Sequence, residues 1–62
     1  MTLKKGDKIK ITGNSVFSVM GYKEVTGTVF MIYPDGHGFA FKCNQTGCME
    51  TCDFNDGNIK IE

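Results

Sequence analysis

The sequence predicts an all-β fold, a five-stranded small barrel with one long early loop, formed by residues 1–62 as a single binding domain. Three observations predict it. Strict two-residue alternation marks both ends of the chain, in Lys8-Ile9-Lys10-Ile11-Thr12 and in Asn58-Ile59-Lys60-Ile61-Glu62. The segment between them is rich in β-branched and aromatic residues, above all Val25-Thr26-Gly27-Thr28-Val29-Phe30-Met31-Ile32. Turn signals built from Gly, Pro, Asn and Asp then punctuate the chain at short intervals.

Each element follows from the residues. Lys8–Thr12 is the first strand, with Ile9 and Ile11 on one face. Gly13 to Glu24 is the long loop, and Val25–Ile32 the second strand. Alternation there puts Val29 and Met31 inward and Phe30 and Ile32 outward. Tyr33-Pro34-Asp35-Gly36-His37-Gly38 is a turn, because Pro presets φ and Gly accepts positive φ. Phe39–Cys43 alternates again, Asn44-Gln45-Thr46-Gly47 turns, and Met49–Phe54 is a weaker fourth strand. Asn55-Asp56-Gly57-Asn58 holds the Asp-Gly pair of a tight hairpin leading to the last strand. No window carries an apolar helical stripe, and at most one helical turn fits near Cys48–Cys52. An open sheet would leave two sticky edges, so closure into a barrel is expected.

Lys5-Gly6-Asp7 and the alternating strand to Gly13, followed by Gly27-Thr28-Val29 and the strand to Ile32, resemble the opening of SH3-like small barrels of the KOW type. The resemblance covers about half the chain. It implies the small-barrel fold and a ligand that is RNA or a protein of the transcription and translation machinery. It also implies that the loop between the first two strands is a binding site. The chain has no Trp and no paired aromatic-acidic signature in that loop, which argues against an SH3 domain reading Pro-rich peptides.

A chain this short buries only about 60% of its unfolded surface, so its core is small. A buried multi-residue active site is hard to fit beside that demand, and an enzyme is not expected. The start, Met1-Thr2-Leu3-Lys4-Lys5-Gly6-Asp7, has no apolar stretch of signal-peptide type. A cytoplasmic protein with no membrane partner is expected, its three cysteines being reduced thiols.

His37, Cys43, Cys48 and Cys52 are the right number of ligands for tetrahedral zinc, yet their spacing matches no common knuckle. The strand reading lets Cys43 and Cys52 approach across a hairpin and leaves His37 about 20 Å away, at ~3.3 Å per residue. No cofactor is expected. A site built on Cys43, Cys48 and Cys52, and a disulfide, are the minor alternatives. Without a His beside a Cys, no activated thiolate forms. Asp35, Asp53 and Asp56 lie in or beside separate turns, which disfavours paired acid/base work. Gly36-His37-Gly38 precedes no helix, so it lacks the positive end that cradles phosphate.

Seven Lys balance seven Asp and Glu. The balance is uneven along the chain: residues 1–33 hold five Lys and two acids, residues 34–62 two Lys and five acids, so the halves carry +3 and −3. Lys4, Lys5, Lys8, Lys10 and Lys23 are candidate phosphate contacts. All seven positive charges are Lys, so bidentate recognition is missing, and zero net charge removes a steering field.

Phe17, Tyr22, Phe30, Tyr33, Phe39 and Phe41 are more rings than a small barrel readily buries. Val16-Phe17-Ser18-Val19-Met20-Gly21-Tyr22 is an unusually apolar loop, which either caps one barrel mouth or binds a partner. The leading expectation is a non-enzymatic module or regulator that binds another protein through Phe17, Met20, Tyr22, Phe30 and Tyr33. A free-standing module of this size fits an inhibitor of a larger host machine, of the phage type. The alternative is KOW-like RNA or DNA binding through the five lysines. The sequence names no partner and fixes no oligomeric state.

Overall fold

The computed structural model describes residues 2–62. Five strands and one short helix follow in the order β1 (Lys8–Thr12), α1 (Ser15–Val19), β2 (Glu24–Ile32), β3 (Gly38–Cys43), β4 (Met49–Asp53) and β5 (Asn58–Ile61). All neighbouring strands are antiparallel, in the order β4-β3-β2-β1-β5. The all-β expectation and the placement of the strands hold.

The expected closure does not. No ladder joins β4 to β5 among the described residues, and these strands are the two edges of one open sheet. The Asp56-Gly57 turn therefore makes no hairpin. It carries the chain from one edge of the sheet to the other, where β5 pairs with β1. The turn is held from outside: Asp56 binds Ser15, its carbonyl accepts from Asn14 Nδ2 at 3.1 Å, and Gly57 packs on the backbone of residues 12–14.

The sheet bends about β2. Residues Glu24–Thr28 pair with β1, whereas Gly27–Ile32 pair with β3, so only Gly27 and Thr28 are shared. At Gly27 a Cβ would lie 2.1 Å from the Lys42 carbonyl oxygen and 2.8 Å from the Phe41 ring. Only glycine lets the two halves approach this closely. The inner faces of both halves then share one core of Ile9, Ile11, Val25, Val29, Phe39, Phe41, Cys43 and Cys52, with Phe17 added from α1. Phe41 meets Phe17 edge-on at 5.8 Å and Phe39 at 5.7 Å between centroids.

Two further local expectations change. Registers shift between Val29 and Met31, so a bulge leaves Phe30 without a partner on β3. The bulge resets the alternation: Met31 turns outward beside Phe30, and Ile32 packs on the core. The helical turn near Cys48–Cys52 is absent, since Met49–Asp53 is strand, and the helix lies instead within the long early loop. The Tyr33–Gly38 turn forms as its residues require, with the Gly36 amide bonded to the Tyr33 carbonyl at 3.0 Å. No helix among the described residues is long and apolar enough to cross a membrane.

Candidate functional site

Asn14 organises the long loop. It is buried, and its Oδ1 accepts from the amides of Val16 at 3.0 Å and Phe17 at 3.1 Å, which caps α1. Its Nδ2 donates to the Asp56 carbonyl and to Cys52 Sγ at 3.5 Å. Ser15 donates its amide and hydroxyl to the Asp56 carboxylate, and those bonds hold that carboxyl below its ordinary value. A helix of five residues, too short to stand alone, is thus fixed at both faces of its first turn.

That anchoring decides which loop residues are available. Phe17 is 2% exposed and belongs to the core, so its ring cannot serve as a contact. Tyr22 is half-buried against the same core. Met20 is 48% exposed, and Val16 and Val19 stand beside it at 57% and 90%. Residues i, i+3 and i+4 share one helix face, so Val16, Val19 and Met20 form an apolar patch. Val16 and Val19 belong to the apolar loop expected to cap the barrel or bind a partner, and their spacing behind an N-capping Asn sets them on one face with Met20.

Phe17 is buried, and Phe30 and Tyr33 belong to the last residues of β2 and the turn after it, so the five expected partner residues do not form one exposed face. Phe30 is half exposed with Lys5 Nζ 5.5 Å from its ring centroid. Tyr33 is half-buried and its amide bonds to the Gly38 carbonyl. Phe39, Phe41 and Phe17 are buried, and Phe54 packs on the core, leaving Phe30 as the most exposed ring. The aromatic surplus is therefore smaller than the composition implied.

Two of the five N-terminal lysines have acid partners. Lys4 pairs with Asp7 at 3.5 Å and Lys10 with Glu24 at 3.6 Å. Register sets Lys8 opposite Thr28, Thr28 opposite Lys42, and Lys10 opposite Lys60. Lys42 and Lys60, which the linear count assigns to the acidic half, thus join Lys8 and Lys10 on the outer face of the sheet. A shallow groove of about 340 Å³ opens there, lined by Lys8, Thr26, Thr28, Asn44 and Glu62.

The cysteines are free. Cys43 lies opposite the exposed Cys48 end of its hairpin, its amide donating to the Cys48 carbonyl at 3.0 Å. Cys52 sits opposite Phe39, so the expected approach of Cys43 and Cys52 does not occur. Cys52 and His37 instead line one cleft of about 200 Å³ with Tyr33, Asp35 and Asp53, which corrects the long separation expected for His37. Burial pushes the Cys52 thiol up to about 11, against the Asn14 bond that opposes it. A thiol held neutral in this way is no nucleophile. No three His, Cys, Asp or Glu residues gather as a metal site among the described residues.

The turn carboxylates are occupied locally. Asp35 accepts from the His37 amide, Asp53 from the Asn55 amide and Asp7 from the Lys4 amide. Each closes its own turn. No protein-family model, curated protein or solved structure matches the chain.

Proposed function

We propose that this chain is a non-enzymatic binding module that acts by protein–protein interaction, with Val16, Val19 and Met20 as its contact face. One observation carries the reading: three apolar side chains share one face of a helix, and Val19 is 90% exposed. The core does not use them. Phe17 and Asn14 hold the helix rigidly beneath them, and a preorganised face loses little entropy on binding. The absence of enzymatic chemistry is part of the proposal, supported by a neutral Cys52 and by carboxylates engaged in turns. Kinship with SH3-like sheets of the KOW type is likewise proposed. It is supported by the Gly6-Asp7 turn, the alternating β1 and the Gly27-Thr28-Val29 stretch of β2.

The test compares wild type with a Val19→Asp, Met20→Glu variant. The wild-type chain, immobilised, should retain a protein that mass spectrometry identifies, and the purified partner should then titrate against both forms. Affinity is expected to fall at least about 100-fold while the melting temperature stays within about 4 °C, because exposed substitutions alter stability by no more than about 0.5 kcal/mol. Retention of no protein, or equal affinity for both forms, refutes the reading.

A further inference from the structure

We infer that the outer face of the β5-β1-β2-β3 part of the sheet binds single-stranded nucleic acid. This surface differs from the α1 face proposed above and from the early loop that the family resemblance points to, so either reading can fail without the other.

The inference rests on what register assembles. Lys8, Lys10, Lys42 and Lys60 come from three strands and fall within two adjacent rows of the sheet. With strands ~4.8 Å apart and ~3.4 Å of rise per residue, the four Cα positions span a patch about 14 Å by 7 Å, enough for a few nucleotides. Lys5, Lys8, Lys42 and Lys60 have no carboxylate partner among the described residues. Lys10 shares Glu24, and Glu62 lines the groove beside Lys8, so these five lysines face two glutamates. The local excess is +3 in a chain whose net charge is zero.

The other groups on this face suit a flexible strand with unpaired bases. Phe30 projects outward two residues beyond Thr28, half exposed, with the Lys5 ammonium over its ring. A ring flanked by cations stacks on any base, whereas a duplex hides its base faces. Thr26 and Thr28 line the groove, which holds donors for phosphate or sugar oxygens. The chain contains no Arg, so the forked base-edge contacts of duplex readers are missing. Binding is therefore expected to be insensitive to sequence. An acidic polypeptide would meet the same lysines but would gain nothing from the ring.

The experiment is fluorescence anisotropy of labelled oligo-dT and oligo-U of about 15 nucleotides, a length near the usual single-strand site sizes. Three phosphate contacts give a log–log salt slope near −2, at about 0.7 per contact, so affinity should fall about 20-fold between roughly 50 and 200 mM salt. Lys8→Ala and Lys42→Ala should each make the slope shallower by about 0.7. Phe30→Ala should weaken binding at least about fivefold and leave the slope unchanged. Lys4→Ala and Lys23→Ala, outside the face, should change neither. The inference is overturned by no binding at about 50 mM salt, or by indifference to Lys8→Ala and Lys42→Ala. Equal affinity for a duplex of the same length, or for polyglutamate, overturns it as well.

Discussion

Asn14 is the residue through which the early loop, the Asp56 turn and Cys52 are joined, and two substitutions separate its roles. Asn14→Ala removes both. Losing the cap on Val16 and Phe17 costs about 0.5–2 kcal/mol. Losing the bond from Nδ2 to the Asp56 carbonyl costs about 1 kcal/mol more. Together these come to about 1.5–3 kcal/mol, which in a chain of this length lowers the melting temperature by roughly 6–24 °C. Asn14→Asp keeps the acceptor, and Asp caps helices as well as Asn does. It loses the donor, however, and turns a carboxylate oxygen towards the Asp56 carbonyl and the Cys52 thiol. If Asn14 were only a cap, this variant would match wild type. The structure requires it to be destabilised by at least as much as Asn14→Ala. Urea denaturation followed by circular dichroism measures both. Stability of Asn14→Asp within about 0.5 kcal/mol of wild type, the ordinary range for surface changes, would refute the claim that the amide nitrogen fastens the two segments together.

The remaining predictions concern the core and its thiols. Gly27→Ala forces a Cβ into the Lys42 carbonyl and the Phe41 ring, and overpacking of this kind costs about 1–3 kcal/mol or more, so a sharply lower urea midpoint is expected. Phe17→Ala should cost about 3–5 kcal/mol and leave the chain largely unfolded, whereas Val19→Ala should change stability by no more than about 0.5 kcal/mol; thermal melts distinguish the two. Cys52 is a thiol whose folded pKa of about 11 exceeds its ordinary 9.0, so the native state keeps a proton that the unfolded chain releases. Stability should therefore fall as pH rises from about 9 to 11, by on the order of 2–3 kcal/mol, and Cys52→Ala should abolish that slope. A chromogenic disulfide reagent should titrate one thiol quickly, Cys48, with Cys43 and Cys52 reacting only on unfolding.

The strands were legible because a period of two is a local property, and Ile9/Ile11 and Phe39/Phe41 declare it over a few residues. What escaped depends on contacts between distant segments. Asp56-Gly57 has the chemistry of a tight hairpin, but its carbonyl and carboxylate are claimed by Asn14 and Ser15, about forty positions earlier. Those bonds draw the turn across the molecule and leave β4 and β5 as edges. The same bonds stabilise α1, whose five residues fall below the length at which an apolar stripe can be recognised. The bulge at Phe30 has no sequence mark at all, and it alone separates an inward Met31 from the outward one observed.

The candidate surfaces show the same division more sharply, because a binding face is defined by register. Counting charge along the chain separates a basic first half from an acidic second half. In the sheet, Lys42 lies across Thr28 from Lys8, and Lys60 lies directly opposite Lys10. Several acids leave for the turns, where Asp7, Asp35 and Asp53 close backbone amides and Asp56 holds Ser15. Carboxylates are drawn to turns because their oxygens accept local amides. Lysines are tolerated on outer strand faces, where their long stems cover the sheet and their charge stays in water. Each residue type follows its own local preference, and the result is a segregation of charge by structural element that no division of the chain into halves can express. It follows that reversing the charge of Lys42 should weaken an anion bound at Lys8, although 34 positions separate the two lysines and only Thr28 lies between them.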